Sequence, residues 1–74
     1  MQKKNYTAEF KKLGKKVKKL RESNKMTQQS LSDFCDVDIR TIQRIEVGEM
    51  RFSIRILFAL AEAFGVKVEE LFLE

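Results

Sequence analysis

Apolar residues recur along this chain at steps of three and four, the spacing of helices that bury one stripe and leave the other faces to water. Phe10, Leu13, Val17 and Leu20 form the first stripe, and Lys11, Lys12, Lys15, Lys16, Lys18, Lys19 and Arg21 fill the remaining faces. Thr7 can cap this helix, and Glu9 places a negative charge near its positive end. Asn24, which tolerates a left-handed backbone, marks where it ends.

Two shorter helices follow. Thr27 caps the second and Asp38 the third, since both side chains can accept from backbone N-H groups two or three residues on. Cys35-Asp36-Val37 must reverse the chain between them, with Asp36 taking the left-handed conformation at some cost relative to glycine. Gly48 stops the third helix, Ser53 caps a fourth that runs to Phe64 and is closed by Gly65, and a short fifth spans Val68 to Leu73. The pattern predicts an all-α, five-helix domain over residues 7–74, preceded by a loose arm at residues 1–6.

In the second and third helices this pattern turns Leu31, Cys35, Val37, Ile42 and Ile45 inward and leaves Gln28, Arg40, Gln43 and Arg44 outward. A single helix is narrow enough to enter the major groove of duplex DNA, where long polar side chains can reach base edges.

Composition narrows the picture further. The chain has 74 residues, no proline, three glycines and 43% apolar residues, which suits one small helical bundle whose core is marginal alone. No apolar run approaches the roughly 20 residues of a membrane span, and no secretory leader opens the chain, so a soluble cytoplasmic protein is expected. The net charge of +4 is unevenly placed: residues 1–22 carry a balance of +7 and residues 23–74 one of −3. A field concentrated in this way attracts polyanions. With one cysteine and no histidine there is no internal disulfide and no zinc site, and neither a metal nor a cofactor is expected. Cys35 reads as a core residue. The absence of histidine, of a glycine-rich phosphate loop and of clustered carboxylates in an apolar pocket argues against an enzyme.

The landmarks Leu13-Gly14, Leu20-Arg21, Thr27-Gln28, Leu31, Val37, Thr41-Ile42, Arg44-Ile45-Glu46, Gly48, Ala61, Ala63, Gly65-Val66 and Leu71-Phe72 fall in an order that resembles the lambda-repressor and Cro type of helix-turn-helix domain. That family includes phage repressors and small xenobiotic-response-element regulators. The resemblance implies that the third helix lies in the major groove, with Ile39, Arg40, Gln43 and Arg44 at base-contacting positions and Gln28, Thr41 and Arg51 on phosphates. Their chemistry suits those roles: arginine pairs with guanine, glutamine with adenine, and an aliphatic side chain presses on a thymine methyl. It also implies an ion pair between Arg21 and Glu46 that fixes the third helix without reading sequence.

Departures from the family pattern carry their own expectations. Ser32 replaces a usual alanine and Asp36 a usual glycine, suggesting looser packing of the two helices. Val47 replaces an asparagine that helps hold phosphate, and Lys67 the usual cap of the fifth helix. Apolar residues surround much of the fourth helix, and Met50, Phe52, Ile56 and Ala59 are read as a homodimer interface rather than surplus core.

Double-stranded DNA is therefore the expected partner, read by a dimeric repressor at an inverted repeat, with control through polymerase or another protein. The rival reading is an antitoxin-type module that binds a toxin as well as DNA. A basic membrane-surface or calmodulin-binding peptide would fit residues 7–24 alone and leave the next fifty residues unexplained.

Overall fold

The computed structural model describes residues 6–49 and 52–73. Four α-helices, α1 (Thr7–Ser23), α2 (Gln28–Cys35), α3 (Ile39–Glu46) and α4 (Ile54–Phe64), are followed by a 3-10 helix over Val68–Phe72. The predicted fifth helix is thus a 3-10 segment of five residues, the short form this tighter helix commonly takes, with Leu71 turned into the core.

Helix starts follow the polar signals with one exception. The Thr27 hydroxyl accepts from the Ser30 N-H at 3.0 Å while the Ser30 hydroxyl accepts from the Thr27 N-H at 3.0 Å, a reciprocal box that satisfies two otherwise orphaned donors. Asp38 accepts from the Arg40 N-H at 2.8 Å, and Ser53 from that of Ile56 at 3.4 Å. Thr7, expected as a cap, is instead the first helical residue, and Tyr6 precedes the helix without a side-chain cap. Lys67 likewise makes no side-chain cap.

Every α-helix is followed by a residue of positive φ: Lys25 (56°), Asp36 (56°), Gly48 (77°) and Gly65 (68°). The role expected of Asn24 has moved one residue on. Asn24 keeps φ −91° and its side-chain amide donates to the Leu20 carbonyl at 2.7 Å, so the left-handed turn falls on Lys25. The N-H of Met26 then closes back to the Arg21 carbonyl at 3.0 Å.

The core is built from Leu13 and Val17 of α1, Leu31 and Cys35 of α2, Ile42 and Ile45 of α3, Ile56, Leu60, Ala61 and Phe64 of α4, and Leu71. Gly14 lets α1 approach the end of α3: a Cβ there would run into the Ile45 carbonyl oxygen and stand 2.8 Å from that of Glu46. Gly48 meets α1 from the other side, where a Cβ would lie 2.8 Å from Lys11 Cα. Ser32 does not loosen α2 against its neighbours. It is fully buried, and its hydroxyl is satisfied by donating to the Gln29 carbonyl at 2.7 Å.

The outward face of α4 differs from the sequence expectation. Ile56 is only 8% exposed and belongs to the core, while Phe52 and Ala59 pack against that core, Phe52 edge-on to Phe10 with ring centres 6.4 Å apart. The outward apolar side chains of α4 are Ile54 and Phe58, 69% and 59% exposed. Two stripes run along this helix, and the one containing Ile56, Leu60 and Phe64 is taken inward because it meets Leu31, Cys35 and Leu71. Met50 lies outside the described residues.

Candidate nucleic-acid interface

α2 and α3 pack as a pair joined by Asp36-Val37-Asp38, with Ile42 and Ile45 fully buried beneath α3. Burial of that stripe fixes the rotation of α3 and leaves Arg40, Gln43 and Arg44 exposed on its opposite side, with Ile39 and Thr41 half-buried at its start. Gln28, at the first position of α2, is half-buried beside them. The structure therefore brings the sequence-assigned base-contact residues together on one face. Arg51 lies outside the described residues.

Beneath this face a hydrogen-bonded chain of side chains crosses three helices. Arg21 Nε donates to Glu46 Oε2 at 2.7 Å, and Arg21 Nη2 to Glu46 Oε1 at 3.3 Å, a two-pronged contact that suits the planar guanidinium. The remaining Arg21 fork, Nη1, donates to the Met26 carbonyl at 2.7 Å. The side chains of Arg21 and Glu46 are 11% and 3% exposed, so the pair sits largely out of water. The hydrogen bond to Glu46 pulls the Arg21 pKa further up, against the effect of burial, and the guanidinium stays charged. The pairing expected of these two residues is present, and it ties the last turn of α1 to the last turn of α3.

Two further links escaped the sequence reading. Gln28 Nε2 donates to Glu46 Oε1 at 3.1 Å, and Gln43 Nε2 donates to Gln28 Oε1 at 3.4 Å. Gln28 thus stands between the buried ion pair and the exposed face of α3. Separations of 18 and 15 residues leave no local pattern that could have announced either bond.

The lysines of α1 divide by position. Lys11 packs on Gly48, whereas Lys12, Lys15, Lys16 and Lys19 border a groove of about 570 Å³ floored by Leu13, Leu71, Phe72 and Leu73. No residue of α2 or α3 lines that groove. Cys35 is 1% exposed, and burial pushes its thiol pKa up, with Arg55 acting weakly in the opposite sense. No helix among the described residues is long and apolar enough to cross a membrane.

A buried α2–α3 pair presenting a polar α3 face defines a helix-turn-helix domain. The chain belongs to the helix-turn-helix family (HTH_3), whose profile matches residues 17–71, and within it to the Cro/C1 type. It is similar to an uncharacterized HTH-type transcriptional regulator, MJ0272, of Methanocaldococcus jannaschii, at 36% identity over 58 residues that cover 78% of this chain and 88% of that protein. It is also 38% identical over 61 residues to the competence pilus inhibition repressor of Acinetobacter baylyi, covering 82% of this chain and 56% of that longer protein. Among solved structures, the restriction-modification controller protein C.AhdI of Aeromonas hydrophila superposes with a TM-score of 0.85 at 26% identity, over 88% of this chain and 98% of that one. The clp gene regulator ClgR of C. glutamicum shares the fold with a TM-score of 0.77 at 21% identity, over 84% of this chain and 80% of that one.

Proposed function

We propose that this protein is a transcriptional repressor that binds double-stranded DNA as a homodimer, reading an inverted repeat with α3 in the major groove. The observation that carries the reading is the α3 face itself. Three long polar side chains, Arg40, Gln43 and Arg44, stand exposed together on a helix whose opposite side is fully buried and whose end is pinned by the Arg21–Glu46 pair. Ile39 with these three is assigned to bases, and Gln28 and Thr41 at the edge of the face to phosphates. Regulation is supported by relatives whose names include a regulator and a repressor.

The dimer is supported by the outward apolar pair Ile54 and Phe58 on α4, which takes the place of the buried Ile56 in the interface read from sequence as Met50, Phe52, Ile56 and Ala59. Selection of bound sequences from a random DNA pool tests binding and symmetry together. The expected product is a two-fold motif with half-sites about one helical turn, roughly 10 base pairs, apart. A pool without enrichment overturns the reading.

One feature favours a second role as a protein-binding module of the antitoxin kind. The groove between α1 and the chain's C-terminal residues combines an apolar floor with a lysine border, complementary to an acidic amphipathic segment of a partner. Co-expression with the products of neighbouring genes tests it: a stable complex lost in Lys15→Glu/Lys19→Glu supports the role, and its absence leaves DNA binding as the sole function.

A further inference from the structure

We propose that Glu46 determines which base Gln43 accepts, although its own side chain is buried behind α3. The inference rests on the reading that Gln43 faces base edges. An ionised carboxylate can only accept hydrogen bonds. Glu46 Oε2 is occupied by Arg21 Nε, and its Oε1, which also meets Arg21 Nη2, faces the Gln28 amide at 3.1 Å. Only the nitrogen of that amide can meet it. The Gln28 oxygen is thereby turned toward α3, where it stands 3.4 Å from Gln43 Nε2. Only an N-H of Gln43 can answer an oxygen, so one of its two amide hydrogens is committed to Gln28.

What Gln43 retains is one N-H donor and one carbonyl acceptor. Adenine offers one acceptor, N7, and one donor, the N6 amino group, which matches; guanine offers two acceptors, N7 and O6, which does not. An untethered glutamine can turn both of its hydrogens toward guanine. The tether removes that option, so adenine is selected over guanine by a carboxylate that never touches DNA. The sense of the relay depends on Glu46 being acceptor-only: with glutamine there, Gln28 can face either way and the constraint is lost.

Binding profiles over all four bases at each operator position, measured with the full chain, test this. Gln43→Ala first locates the base pair that Gln43 reads. At that pair the adenine-to-guanine preference should be roughly tenfold in the parent protein. It should fall to about threefold or less in Glu46→Gln and in Gln28→Met, while preferences at the other positions keep their order. Gln28→Met leaves the Arg21–Glu46 pair in place, so it decides the matter if Glu46→Gln fails to fold. Uniform weakening in both variants with the preference unchanged overturns the relay and leaves the Gln43 contact standing. A Gln43→Ala profile that keeps the parent's preference at every position overturns the Gln43 contact and the relay with it.

Discussion

Arg21 and Glu46, 25 residues apart in sequence, meet in a two-pronged ion pair that is nearly sealed from water, with its shortest bond 2.7 Å. The pair joins the scaffold helix to the reading helix. Its value lies in geometry, since two charges taken out of water gain little net free energy from their attraction. Arg21→Ala removes one partner and strands a buried carboxylate, which costs on the order of 3 kcal/mol. Thermal denaturation should show a markedly lower melting temperature, and DNA binding should weaken with it. An unchanged melting temperature would remove the structural role.

Gly14 is a close contact between the same two helices, about two turns earlier on α1. Because a Cβ there meets backbone carbonyls and no flexible side chain, Gly14→Ala cannot be absorbed by a rotamer change. The helices must separate, at a cost of about 1–3 kcal/mol, and α3 should shift relative to α1. Denaturant titration would register the loss. An equal or higher midpoint would mean that α1 and α3 do not approach as described.

Arg44 tests the face itself. Arg44→Ala should cost roughly 1–3 kcal/mol on the selected operator and relax preference at one base pair, with little effect on random DNA. Equal loss on both would move Arg44 from a base to a phosphate.

Ile54 and Phe58 stand outward on α4 while Ile56 is buried, so substitutions two residues apart should behave differently. Phe58→Lys should leave the melting temperature of the fold near that of the parent and convert dimer to monomer in sedimentation. Ile56→Lys should unfold the domain by forcing a charge into the core. A parent protein that sediments only as monomer at tens of micromolar would remove the dimer.

The pH dependence at the alkaline end follows from Cys35. Burial raises its thiol pKa above the ordinary value of 9.0, so the fold binds the thiol proton more tightly than the open chain does. The corresponding stability is complete below the open-chain value and is lost as pH rises through the higher folded one. Melting temperatures at pH 7 and pH 10 should therefore fall further apart for the parent than for Cys35→Ala. Equal falls would show that the thiol does not report on folding. Alkylation of native Cys35 at neutral pH should also be slow.

The amino-acid order by itself determined the local features. Thr27, Asp38 and Ser53 cap because their side chains reach backbone donors two or three residues away, and Asp36, Gly48 and Gly65 end helices because few residues accept a positive φ. The rotation of α3 was legible too, since Ile42 and Ile45 share one stripe while Arg40, Gln43 and Arg44 are all polar on the opposite side. Where two local solutions were close, the folded chain chose between them, by a local side-chain bond at Asn24 and by tertiary packing at α4. Asn24 bonded its side chain to Leu20 and passed the left-handed turn to Lys25, and α4 had two apolar stripes of similar strength until packing against α2 and the 3-10 helix took Ile56 inward and left Phe58 outside. Gln28 was assigned only to phosphate, yet in the fold it bridges Glu46 and Gln43. Periodicity and capping act over at most a turn or two of helix. A bond between residues 15 or 18 positions apart exists only once three helices have been brought together, and so it was for the tertiary structure to decide.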